Sequence, residues 1–271
     1  MTGLPVAEPE FALEGLTQIA GKDNRARISL EQLDDDWDEH TPEGFAALYL
    51  QHLPQSLETL TLEYCHRSPP LSQVTFPSNL RSLTFESGFN QRLERVALPS
   101  KLQSLNFGLE FNKSIERVTF PSSLLSLTFG CEFDKSLERV ILPSNLQSLT
   151  FGMKFNQSLE GVTFPSSLKT LTFGANFNQS LARVALPSTL QSLTFGREFN
   201  QSLERVTLPS SLKTLTFGAN FNQSLKRVSL PSTLQSLALG DGFHFGESFE
   251  QMTLPSTLKS LSVSSRLISI L

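Results

Sequence analysis

The chain has 271 residues, a formal net charge of −4 and a pI near 5.6, which excludes the strong basic excess of a dedicated nucleic-acid binder. No run of 18 apolar residues occurs, so direct membrane insertion as a helix is not expected. The two cysteines, Cys65 and Cys131, lie far apart in unlike contexts, which points to a reducing intracellular compartment rather than a disulfide framework. The cytoplasm is the simplest such compartment, and an organelle entered with a cleaved transit peptide is the other. The opening "MTGLPVAEPEFALEGL" has neither the basic start nor the apolar core of a secretory signal.

Residues 1–52 read as a small mixed α/β cap. "FALEGLTQIAG" (11–21) has the pattern of a short helix ending at Gly21, and "ARISLEQL" (26–33) that of a strand. In "TPEGFAALYLQHL", Thr41 is a good N-cap and Pro42 suits the first helical position. Between these, "DDDWDEH" (34–40) is an acidic cluster, read as a solvated loop, with a cation or a basic partner as the functional alternative.

From residue 53 to 263 the chain is periodic. Pro77, Pro99, Pro121, Pro143, Pro165, Pro187, Pro209 and Pro231 follow at steps of 22 residues, and Pro255 comes after a step of 24. Pro54 marks a degenerate earlier copy. A fixed period of this size means a solenoid. One half of the unit reads like Leu212, Leu215, Phe217, Gly218, Phe221 and Asn222; the other like Leu203, Val206, Leu208 and Pro209. Both halves alternate apolar and polar residues, which predicts a β-rich, leucine-rich-repeat-like solenoid of about ten coils with two short strands per coil. The recurring glycines, such as Gly174 and Gly218, are expected to turn corners at φ > 0. The phenylalanines fall into two columns that should form a core spine. A column of asparagines, Asn90, Asn112, Asn156, Asn178, Asn200 and Asn222, with Asp134 standing in once, predicts a ladder of buried amides.

These residues carry a resemblance. The unit "SLxxVxLPSSLxxLTFGxxFNQSL" resembles the FNIP repeat, a 22-residue leucine-rich-repeat variant, and is also similar to the short leucine-rich repeats of bacterial surface proteins. Here "FNQS" stands where that family has FN-x-Pro. The resemblance implies a leucine-rich-repeat fold and a non-enzymatic role in protein–protein interaction. It names no partner, since one repeat fold serves many.

The last coil, "GDGFHFGESFEQMTLPS", inserts two residues, and residues 264–271 then form a C-terminal cap or tail. Its "RLISIL", with Leu267, Ile268 and Ile270, is expected either to fold back over the last coil or to offer an edge to a partner.

Three surfaces are candidates for contacts. Arg95, Arg117, Arg139, Arg183, Arg205 and Arg227 form a column on the second predicted strand. Neighbouring glutamates would screen it, and docking of an acidic protein surface is the alternative. Ser/Thr-x-Thr ranks such as Thr170 and Thr172 face outward on the first strand and resemble an ice-binding face, the alternative function. The positions after each glycine vary most, as at Leu109, Met153 and Arg197, and divergence on a copied scaffold points to a protein partner there. No enzyme, metal or cofactor motif appears: His40, His52, His66 and His244 lack metal-ligand spacing.

Overall fold

The computed structural model describes residues 24–29, 53–63, 71–243, 253–263 and 266–268. The two cap helices expected before residue 53 and the acidic cluster at 34–40 lie outside the described residues. Within them the chain forms one sheet of twelve strands in sequence order. The strands are β1 (Arg25–Ser29), β2 (Thr59–Glu63), β3 (Ser82–Phe85), β4 (Ser104–Asn106), β5 (Ser126–Thr128) and β6 (Ser148–Thr150). They continue as β7 (Thr170–Thr172), β8 (Ser192–Thr194), β9 (Thr214–Thr216), β10 (Ser236–Leu239), β11 (Ser260–Val263) and β12 (Arg266–Ile268). Each strand from β1 to β10 pairs in parallel with the next, and equivalent residues of successive units sit side by side, as Leu171 beside Leu193. β3 to β11 mark nine successive turns of the solenoid. The strand read in "ARISLEQL" corresponds to β1, which starts one residue earlier, at Arg25, and pairs with β2.

Among the described residues only one strand per coil forms, which corrects the expectation of two. In the second half, alternation is a burial pattern without a ladder: Val162 and Phe164 are buried while Thr163 is exposed. That backbone closes on itself in β-turns, with the Val162 amide donating to the Leu159 carbonyl at 3.1 Å and the Leu168 amide to the Pro165 carbonyl at 3.1 Å. The proline column removes one donor per coil at the place where a second ladder would run.

The glycine corners also have a different cause from the one expected. Among the described glycines only Gly161 has a positive φ, of 81°. In the recurring column a Cβ on Gly152 would overlap the carbonyl of Gly130, and one on Gly174 the carbonyl of Gly152. Glycine is needed there for close approach of one coil's backbone to the next.

The core is a leucine and phenylalanine spine. Leu168, Leu171 and Phe177 are fully buried, and no polar residue is buried among the described ones. Within a coil Phe173 stacks on Phe177 at 3.9 Å, and both columns run on from coil to coil. From Phe107 onward, rings of the column nearer the strand are 5.5–5.6 Å apart. Those of the corner column are 5.9–6.2 Å apart. Paired strands lie about 4.8 Å apart. The coils therefore fan out with distance from the sheet, and the sheet lines the inner side of the fan. Hydrogen bonding agrees. Among the described residues, direct backbone bonds between coils run only from the residue before the strand to the second residue past the glycine, as from Lys169 to Asn176.

At the C-terminal end the chain turns back, and β12 pairs antiparallel with β11, setting Ile268 opposite Leu261 and Leu267 opposite Ser262. Ile270 lies outside the described residues.

Candidate interaction surfaces

The wider outer gaps are bridged by side chains. The Asn178 Oδ1 accepts the Asn200 amide at 2.9 Å and the Gln201 side-chain amide at 3.1 Å, and the same contact recurs from Asn90 to Asn222. Asp134 serves equally, accepting from the Asn156 amide at 2.9 Å and from Gln157 at 2.9 Å. The asparagine ladder exists, but its members are half-buried or exposed rather than buried. The sequence reading missed a second ladder. The hydroxyl of Ser211 lies 2.6 Å from the Ser188 carbonyl and 2.7 Å from that of Leu190, and Thr233 repeats the contact one coil on. The recurring "PS[ST]L" was its signal.

The arginine column is placed differently from the expectation. Glu94 and Arg95 occupy the middle of a turn closed by the Val96 amide on the Leu93 carbonyl at 3.1 Å, so the column lies on turns and not on a strand. Arg139 pairs with Glu116 at 3.7 Å and Arg183 with Glu160 at 3.2 Å, each on the preceding coil. Arg117, Arg205 and Arg227 have no carboxylate within 4.0 Å among the described residues. Gly161 breaks the column, and its φ suits the third position of a type II turn.

On the glycine corner, Leu109, Cys131, Met153 and Ala175 follow one another on four adjacent coils before Arg197 interrupts. Leu109 is 59 % and Met153 52 % exposed, and the Arg197 side chain is also exposed, beside Glu198 at 3.6 Å. Next to this stripe Lys154 donates to Glu132 at 2.6 Å, a hydrogen bond that raises the lysine pKa above its ordinary range. Ile141, 84 % exposed, was not singled out from the sequence. Reading the column between the valine and the Leu-Pro pair, where its neighbours are Thr119 and Thr163, would have found it.

The Ser/Thr ranks stand on the strands as expected, with Thr170 and Thr172 half-buried on either side of buried Leu171, on the inner side of the fan. The four histidines lie outside the described residues. No helix among the described residues is long and apolar enough to cross a membrane.

The FNIP repeat matches residues 69–110, 111–154, 155–198 and 199–242, well over half of the chain. The chain belongs to the FNIP repeat family. Each of the last three matches spans 44 residues, two coils at a time. Among solved structures the FNIP solenoid is similar to CroV588, described as a novel circular LRR protein, at 35 % identity and a TM-score of 0.61. The match covers 80 % of this chain and 35 % of that one, so the FNIP chain spans about a third of the neighbour's length. No curated protein matches the chain.

Proposed function

We propose that this FNIP solenoid is a non-enzymatic scaffold for protein–protein interaction, acting as a recognition module or as a subunit of a larger assembly, and that its glycine corner is a docking face. The observation that carries this is the stripe from Leu109 to Ala175. Stacking requires the glycine beside it but not an exposed Leu109 or Met153. Apolar side chains held in line by a rigid spine suit a partner's apolar ridge, with Arg197 and the Lys154–Glu132 pair as a polar rim. The half-exposed free thiol of Cys131 within the stripe accords with a reducing, intracellular setting. The turn arginines and the C-terminal Leu267, Ile268 and Ile270 are secondary candidates for contact. Ice binding through the Ser/Thr ranks is not taken up, because coils that fan apart bend those ranks out of a plane.

The test is crosslinking affinity purification from the source cells with the full chain. Leu109→Glu combined with Met153→Glu is expected to abolish recovery of the partner, a loss of about 2 kcal/mol or more. Ile141→Glu, at a still more exposed residue outside the stripe, should leave recovery unchanged. Equal recovery by all three chains would remove the corner as the docking face.

A further inference from the structure

Beside the hydroxyl ranks the strand face carries a third column, made by the residue before each strand: Gln147, Lys169, Gln191, Lys213, Gln235 and Lys259 in the last six coils. A repeated backbone contact, one carbonyl shared by two amides, presents it. The amides of Lys169 and Thr170 both donate to the Gln147 carbonyl, at 2.8 and 2.9 Å, and Lys213 with Thr214 and Lys259 with Ser260 repeat this on Gln191 and Gln235. One carbonyl thus takes two successive amides of the next coil, at the entry to each strand. Lys169 and Thr170 both reach solvent while Leu168 and Leu171 stay buried. Side chains of this column lie against one another across coils, since Lys169 Nζ donates to Gln147 Oε1 at 3.1 Å.

The face is cationic in a chain of net charge −4. From Gln103 onward no Asp or Glu occupies this column or either hydroxyl rank. Acids stand at the N-terminal end of the face, where Glu58 lies 3.8 Å from Arg81, and on the glycine corner at Glu110, Glu132, Glu198 and Asp241. Lys169, Lys213 and Lys259 have no carboxylate within 4.0 Å among the described residues.

The spacing of the lysines selects a ligand shape. They recur on every second coil, which is about 9.6 Å at ordinary strand spacing. A polyproline II helix has three residues per turn and rises about 3.1 Å per residue, so every third residue returns at about 9.3 Å. Same-side residues of a β-strand return at about 6.8 Å and those of an α-helix at about 5.4 Å per turn, and neither matches. A polyproline II backbone also has no internal hydrogen bonds, so its carbonyls are free to accept from the hydroxyls of Thr172, Thr194 and Thr216 alongside.

We propose that the strand face of β7 to β11 binds an acidic peptide segment in polyproline II conformation, laid along the solenoid axis with a carboxylate at every third residue over Lys169, Lys213 and Lys259. This rests on the scaffold reading and adds the chemistry of one partner class. The test is fluorescence anisotropy of the full chain with a labelled peptide of three Asp-Pro-Pro triplets. A peptide of the same composition with its three aspartates adjacent is the control. The triplet peptide is expected to bind more tightly than the control and to weaken as salt rises. Its affinity should fall about tenfold in the K169Q/K213Q/K259Q variant. Glutamine already fills this column on the intervening coils, so the variant should fold. If it melts early, K213Q alone should still lose about twofold to threefold. Equal affinity for the two peptides would overturn the spacing argument, and unchanged affinity in the lysine variants would overturn the site. Neither failure bears on the scaffold reading, which stands or falls with the Leu109 and Met153 variant.

Discussion

The asparagine column separates what a residue does from what it is. Asn178 is used as an acceptor twice, by the Asn200 amide and by Gln201, and Asp134 fills the same place with the same two contacts. A carboxylate is acceptor-only, so the ladder needs the oxygen and not the amide. Asn178→Asp is therefore expected to melt within about 0.5 kcal/mol of the parent at neutral pH. Asn178→Ala leaves two donors without an acceptor and should lose about 1–2 kcal/mol in urea denaturation. If Asp is as damaging as Ala, the Nδ2 group carries the stability and the reading of Asp134 is wrong.

At the scale of the coil, two glycines with different causes give different expectations. A methyl on Gly174 would run into the backbone of Gly152, which cannot yield as a side chain can. Gly174→Ala should cost about 3 kcal/mol or more. Gly161 needs its hydrogen only for φ, meets nothing nearer than the Glu138 Cγ at 3.6 Å, and stands in a turn that Glu-Arg forms on other coils. Gly161→Ala should stay within about 1 kcal/mol, as the turn adopts its neighbours' form, and paired urea melts read both. Much of the coil was legible in the sequence, because columns of Leu, Phe and Asn can recur in register only if the coils stack. What was not legible depends on how each coil's backbone turns and meets its neighbour. Val162 and Phe164 alternate with polar residues like a strand, yet their backbone closes in turns on either side and Pro165 has no amide to donate. The arginine column went with that strand, and so moved to the turns. The glycine column looked like a need for φ > 0 because close approach of backbone is invisible in a one-dimensional pattern. For the candidate surface, Leu109 and Met153 were legible as interruptions in a copied column, whereas the outward set of Lys169 depends on the carbonyl it shares with Thr170 at the entry to the strand.

For the whole molecule, the fan and the spine have a joint consequence. Each coil is bonded to its two neighbours only, so stability is a sum of coil and interface contributions, and a damaged interior coil weakens two interfaces at once. Phe177 is the natural place to test this. It is fully buried, stacks on Phe173 at 3.9 Å and lies 6.0 and 6.1 Å from Phe155 and Phe199 on the coils either side. Phe177→Ala should remove about 3–5 kcal/mol, from the cavity and the lost ring contacts together. The loss should also be uneven along the chain. Hydrogen exchange is expected to rise first at the amides of β7 and β8, which flank the lesion, while β4 and β10 keep their protection. The urea transition should then broaden or split as the two halves unfold separately. Phe243→Ala, at the last described ring of the same column, should affect β10 and its neighbour only and leave the main transition in place. A single sharp transition for Phe177→Ala, with protection lost evenly from β3 to β11, would mean that the solenoid folds as one cooperative body despite its repeats.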